Sequence, residues 1–260
     1  MSNSHGSSFH EYNNISQLNV KLFADGADLA GMLEMYADPS IKGFTTNPTL
    51  MRKAGVTNYA EFAREVLARI PDRPISFEVL SDDFCEMEEQ AFEIASWGKN
   101  VNVKIPVTNT KGEGSCDLIR KLSSQGVTVN VTAIMTINQV EKVAAALVDC
   151  THAYVSVFAG GIADTGCDPI VIMRKAARIL ESNPNVELIW ASPRELLNIF
   201  QADGVGCHII TATNDILKKL HIIGKPLEIY SQETVRMFFS DACQAGFFIQ
   251  PSSGLLAKPA

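Results

Sequence analysis

Short apolar runs bounded by turn residues alternate along this chain with segments of helical period. The strand-like runs fall at residues 20–25, 42–47, 74–80, 101–107, 128–134, 152–158, 186–191 and 207–211. Helical patterns follow them at 28–37, 57–70, 81–97, after the 109–114 turn to about 125, and at 136–147, 168–180, 194–201 and 214–220. Start and stop signals agree with this division. Thr57 reads as a cap, Ser81-Asp82-Asp83 opens a helix, and Gln125-Gly126 closes one. Eight strand-then-helix units at roughly 25-residue spacing predict an α/β chain folded as a single (β/α)8 TIM barrel over residues 19–222. A doubly wound open sheet has the same periodicity, but it calls for a glycine-rich phosphate loop after the first strand, and none is present. Residues 1–18 read as a polar lead. Residues 223–260 read as an extra C-terminal helix, over 233–245, and a tail. The phenylalanines there (Phe238, Phe239, Phe247, Phe248) predict docking on the barrel or on a neighbouring subunit, hence a homo-oligomer.

Composition narrows the class. A chain of 260 residues at 46% hydrophobic content can bury a full core. The formal net charge of −7 argues against nucleic acid or an anionic membrane as partner. There is no apolar run of membrane-spanning length, and residues 1–8 lack a signal core, so a cytoplasmic location is expected. The six cysteines include no C-x-x-C pair and the five histidines have no ligand spacing. Reduced packing thiols and no metal are the expectation.

The run Val101-Asn-Val-Lys-Ile-Pro-Val107 carries the candidate chemistry. Lysine in a strand is usually a solvated edge residue. Here Val103 and Ile105 face one way and Asn102, Lys104 and Pro106 the other, in a run too apolar for an exposed edge. Lys104 is therefore expected to be buried. An ammonium in that position loses hydration, its pKa falls, and the free amine is a nucleophile for carbonyl carbon. In a barrel of this kind, chemistry sits at the C-terminal strand ends. The residues predicted there are Asp25, Asn47, Glu78, Asn130 and Thr132, Ser156, and Ser192 with Arg194. Each alone reads as a hydrogen-bonded strand end or a helix cap. Together with Lys104 they place a polar group on seven of the eight predicted strands, a ring suited to a polyhydroxylated carbonyl compound.

Phe44-Thr-Thr-Asn-Pro-Thr-Leu50, the Lys104-Ile-Pro strand, Asn130-Val-Thr132, Tyr154-Val-Ser-Val-Phe158 and Ala191-Ser-Pro-Arg194 resemble, in matching order, the transaldolase family of class I aldolase barrels. The likeness runs from about residue 20 to 215. It implies that Lys104 forms a Schiff base, that Asp25 and Glu78 are the acid/base carboxylates, and that Thr132 holds the catalytic water. It implies further that Asn47, Asn130 and Ser156 position a dihydroxyacetone unit, and that Ser192 and Arg194 meet a sugar phosphate. No cofactor is implied. The activity implied is transfer of dihydroxyacetone from a ketose to an aldose, as in the pentose phosphate pathway. The fructose-6-phosphate aldolases of the small subfamily tend to replace the glutamate and the asparagine-x-threonine pair, and Glu78, Asn130 and Thr132 are all present here.

One departure bears on the substrate. The family reads Ser-Pro-Phe-x-Gly-Arg after the sixth strand, whereas this chain reads Ser156-Val-Phe-Ala-Gly-Gly161. Phosphate binding is expected to be weakened by Gly161, with Arg194 remaining and Lys42, Lys53 or Lys111 as substitutes. A positive φ at Gly161 would bar an arginine there. Two further readings stay open: a lysine aldolase that releases the fragment or takes an atypical substrate, and a barrel that has lost catalysis and only binds. The latter is disfavoured, because a ring of buried polar groups without a ligand destabilises the fold.

Overall fold

The computed structural model describes residues 15–250. The first part of the polar lead and the tail from residue 251 lie outside the described residues. Eight strands close a barrel in sequence order, every neighbouring pair parallel. They are β1 (Lys21–Asp25), β2 (Ile41–Thr45), β3 (Ile75–Glu78), β4 (Val101–Pro106), β5 (Val129–Ile134), β6 (Ala153–Val157), β7 (Val186–Trp190) and β8 (Ile209–Thr213). The helices between them are α1 (Leu29–Ala37), α2 (Pro48–Lys53), α3 (Tyr59–Arg69), α4 (Phe84–Ser96), α5 (Cys116–Ser124), α6 (Ile137–Ala146), α7 (Ala159–Asp164), α8 (Pro169–Leu180), α9 (Leu197–Gly204) and α10 (Asn214–Leu217). The closed ladder excludes the open sheet.

Most helices start where a short polar side chain satisfies the free N–H groups of the first turn. Asp28, Asn47, Asn58, Asp83, Thr136 and Asp168 each cap one, and Thr136 with Gln139 forms a reciprocal capping box. The cap of α3 is Asn58, one residue beyond the Thr57 expected. Two short helices, α2 and α7, were not expected from periodicity. Pro48 opens α2 at a position where its missing N–H is harmless, and it ends β2 before Asn47. The helix after β7 begins at Leu197 because Ser192-Pro193-Arg194 forms a turn with Ser192 at φ 59°. The last strand also lies two residues later than its apolar run suggests.

The core has two layers. The larger, between strands and helices, includes Phe44, Phe77, Val103, Ile105, Val131 and Trp190, all essentially inaccessible. A second cluster of Phe23, Tyr154, Ile189, Ala191 and Ile209 packs separately from it. A Cβ on Gly43 would lie 2.5 Å from the Phe23 ring, so only glycine lets that ring occupy its place.

Among the described residues the chain divides into the barrel unit, Ile15–His221, and a second unit that begins at Ile222. The second unit contains α11 (Leu227–Gln244), which starts six residues before the predicted helix because Pro226 is tolerated at its N-terminal end. No residue of α11 is buried.

Candidate active site

At the C-terminal end of the barrel the register aligns Glu78, Lys104 and Asn130 as direct neighbours on β3, β4 and β5. Side-chain parity then turns all three to the same side of the sheet. Lys104 is buried, at 5% exposure. Its Nζ donates to the Thr46 carbonyl at 2.8 Å and is paired with Glu78 Oε2 at 3.1 Å.

Glu78 is held in an unusual way. The Phe44 and Thr46 N–H groups of the preceding strand region donate to the Pro74 and Ser76 carbonyls. The next rung would need an N–H at residue 48, a proline, which has none. The Tyr59 hydroxyl fills the gap: it donates to the Glu78 carbonyl at 2.8 Å and accepts from the Glu78 N–H at 2.7 Å. Tyr59 itself is wedged edge-on between Phe77 and Trp97, with centroids 6.3 and 5.6 Å away. Burial pushes its phenol pKa up, so it stays a neutral donor and acceptor.

Asp25, at the end of β1, accepts from Thr45 Oγ1 at 2.7 Å, and that hydroxyl is 2.6 Å from Thr211 Oγ1. Burial raises the Asp25 carboxyl pKa above its ordinary 3.8; Lys104 and the Thr45 hydrogen bond pull the other way, and Glu78 adds to the rise. The group is thus suited to hold and release a proton. Because the folded carboxyl keeps its proton more tightly than the unfolded one, the fold loses stability as pH rises above that ordinary value. Asp25→Asn should therefore raise the melting temperature at pH 7 by roughly 2–4 °C, taking about 1 kcal/mol for the relieved charge. The gain should vanish below about pH 4, where both states of the wild type are protonated. Calorimetry at pH 7 and pH 3.5 checks it; a lower melting temperature for the variant at pH 7 would contradict the assignment.

Asp25, Thr45, Asn47, Lys104, Thr132, Ser156, Phe158, Ala191, Ser192 and Thr211 line one cavity in the barrel mouth. Thr132 Oγ1 is buried with no protein hydrogen-bond partner among the described residues. It sits where the β5–β6 register shifts, next to Ala133 in the left-handed region at φ 61°, a bulge of the kind found at barrel rims. Of the other expected residues, Asn47 lines the cavity and also caps α2 through its carboxamide oxygen. Asn130 lies beneath the lining. It is 0% exposed, accepts from Ser156 Oγ at 2.7 Å and donates to Ser76 Oγ at 3.1 Å. Arg194 stands behind Ser192, with Nη1 2.8 Å from the Ser192 hydroxyl.

Sequence reasoning missed Thr45, Thr211, Ser76 and Tyr59. Thr211 had a signal, a hydroxyl inside the apolar run Ile209-Ile210-Thr211-Ala212. Tyr59 had none, since a helix tyrosine nineteen residues before Glu78 shares no local pattern with it. Among the described residues no group of three or more His, Cys, Asp or Glu is placed to hold a metal ion, and no helix is long and apolar enough to cross a membrane.

A parallel eight-stranded barrel with an enclosed lysine–carboxylate pair at the C-terminal mouth belongs to the class of TIM-barrel proteins whose polar centre lies at that end. The profile of the family described as Transaldolase/Fructose-6-phosphate aldolase matches residues 22–249, and the chain is a member of that family. A "Probable transaldolase" of Dehalococcoides mccartyi is 34% identical over 202 residues, covering 77% of this chain and 90% of the relative. Another "Probable transaldolase", of Pelotomaculum thermopropionicum, is 34% identical over 223 residues, covering 85% and 97%. Among solved structures, dihydrodipicolinate synthase from Rhodopseudomonas palustris superposes with a TM-score of 0.53 at 13% identity, covering 86% of this chain and 79% of that one, a likeness of fold alone. Family membership supports an aldolase-type enzyme.

Proposed function

We propose that the protein transfers a dihydroxyacetone unit from a ketose to an aldose through a Schiff base on Lys104. The observation that carries this is the enclosed Lys104 amine, 3.1 Å from Glu78 and sharing one cavity with Asp25 and Thr132. In this reading Lys104 passes a proton to Asp25, its coulombic neighbour, and the amine adds to the ketose C2 carbonyl. Asp25 returns that proton to the carbinolamine hydroxyl, which leaves as water and gives a protonated imine, so Glu78 stays ionised for the next step. Glu78, through a water beside Thr132, then takes the C4 hydroxyl proton. The C3–C4 bond breaks, its electron pair enters the imine as an enamine, and the aldehyde leaves. The enamine carbon adds to an acceptor aldehyde, Glu78 returns the proton to the new alkoxide, and hydrolysis frees the product ketose. The imine is the electron sink, so the reading needs no cofactor. A homo-oligomer belongs to the proposal: Leu227, Phe238 and Phe239 of α11 are all more than half exposed on the single chain.

The test is borohydride reduction in the presence of a ketose, followed by peptide mass spectrometry. The expected result is a three-carbon adduct on Lys104. Product formation should need an added aldehyde. Free dihydroxyacetone released at the same rate without an acceptor would replace transfer by simple aldol cleavage, and absence of any adduct would end the Schiff-base reading.

A further inference from the structure

The end of the cavity beyond Ser192 carries a second feature, which bears on what kind of molecule reaches Lys104. Arg194 is the basic residue expected there, yet all three of its guanidinium nitrogens already face oxygen. Nε donates to Asp164 Oδ1 at 2.9 Å, Nη2 donates to Asp164 Oδ2, and Nη1 donates to the Ser192 carbonyl and hydroxyl at 2.9 and 2.8 Å. This is the two-pronged arrangement in which a carboxylate occupies the face of arginine that a phosphate would otherwise take.

The backbone builds the pairing. A Cβ on Gly160 would lie 1.6 Å from the Ser192 carbonyl oxygen and 3.1 Å from Arg194 Cζ, so the start of α7 packs directly on the turn after β7. Asp164, at the end of that helix, thereby reaches Arg194. Next to it, a Cβ on Gly161 would meet the Met135 methyl at 3.0 Å, so a thioether fills the side on which the family arginine would project. Gly161 lies within α7 and has no positive φ, so that bar to an arginine is absent.

We infer that Asp164 neutralises the far end of the site and makes the enzyme select uncharged hydroxyaldehydes over their phosphate esters. The inference rests on the transfer reading for its chemistry. Bound beside the Arg194–Asp164 pair, a phosphate dianion gains one attraction and meets one repulsion; a hydroxyl donates to the carboxylate or accepts from Ser192 with no net charge to oppose it. The Arg194 hydrogen bonds hold the Asp164 carboxyl below its ordinary pKa, so the repulsion persists throughout the neutral range.

The experiment compares kcat/KM for glyceraldehyde 3-phosphate and glyceraldehyde as acceptors in the wild type and in Asp164→Asn, with Asp164→Ala as a second variant and melting temperatures for each. The wild-type ratio, phosphorylated over unphosphorylated, should lie below one, and the substitution should raise it about tenfold, the value of one charge-assisted contact. A wild-type ratio above one, or a rise of less than threefold in both variants, overturns the inference. Thermal protection by inorganic phosphate reads the same charge without catalysis: the variants should gain protection that the wild type lacks, and equal protection counts against the proposal. Borohydride trapping on Lys104 is scored separately, so a failure of the transfer reading is seen as a missing adduct whatever the phosphate result.

Discussion

Lys104→Met should abolish transfer, lowering kcat/KM by at least about 10⁴-fold, because no other residue in the cavity can form the covalent link. Methionine keeps the length and much of the volume of the buried stem. It also strips Glu78 of its counter-charge at 3.1 Å, so a stability loss on the order of 1–3 kcal/mol is expected as well. Activity and stability then separate in the double variant. Adding Glu78→Gln removes the stranded carboxylate, and the melting temperature should recover while activity stays at background. Residual activity of the single variant within about tenfold of wild type would rule out the nucleophile.

Glu78→Gln alone should slow turnover by about 10²–10⁴-fold, the usual contribution of a general base, with little change in KM. The Tyr59 clamp acts on the Glu78 backbone, so the glutamine should sit where the glutamate did. Imine formation and bond cleavage ought to come apart in this variant. Borohydride should trap the whole ketose on Lys104, because the imine forms with Asp25 available while the C4 hydroxyl keeps its proton. Trapping of the three-carbon fragment at the wild-type rate would assign the cleavage step to another group.

The barrel was legible because its strands are apolar runs separated by capped helices, and period and caps survive in a single sequence. Lys104 was legible for the same reason: Val103 and Ile105 fix its parity, and parity in a parallel strand decides burial. What could not be read were contacts that link distant segments. The Glu78 partner of Lys104 depends on the register of β3 against β4, which no local pattern encodes. The Tyr59 clamp depends on a proline breaking a ladder that had first to be assembled. The full burial of Asn130 behind Ser156 could not be read either, since parity gives direction and not depth. Arg194 was assigned to a sugar phosphate through the resemblance of Ala191-Ser-Pro-Arg194; its carboxylate partner comes from a six-residue helix, α7, too short to show a period.

The inner cluster around Phe23 and Tyr154 has a kinetic meaning. With those rings packed tightly and Gly43 pressed beneath one of them, the barrel has the topology of a blind well, open only at its mouth. Everything that meets Lys104 arrives and departs by a single door. On the transfer reading proposed above, the aldehyde split from the donor has to clear that passage before the acceptor can come down it, while the three-carbon remnant waits on the lysine. Traffic of this kind makes the two half-reactions strictly sequential in time, so donor and acceptor should compete for the same doorway, and an excess of acceptor should obstruct the arrival of the next ketose.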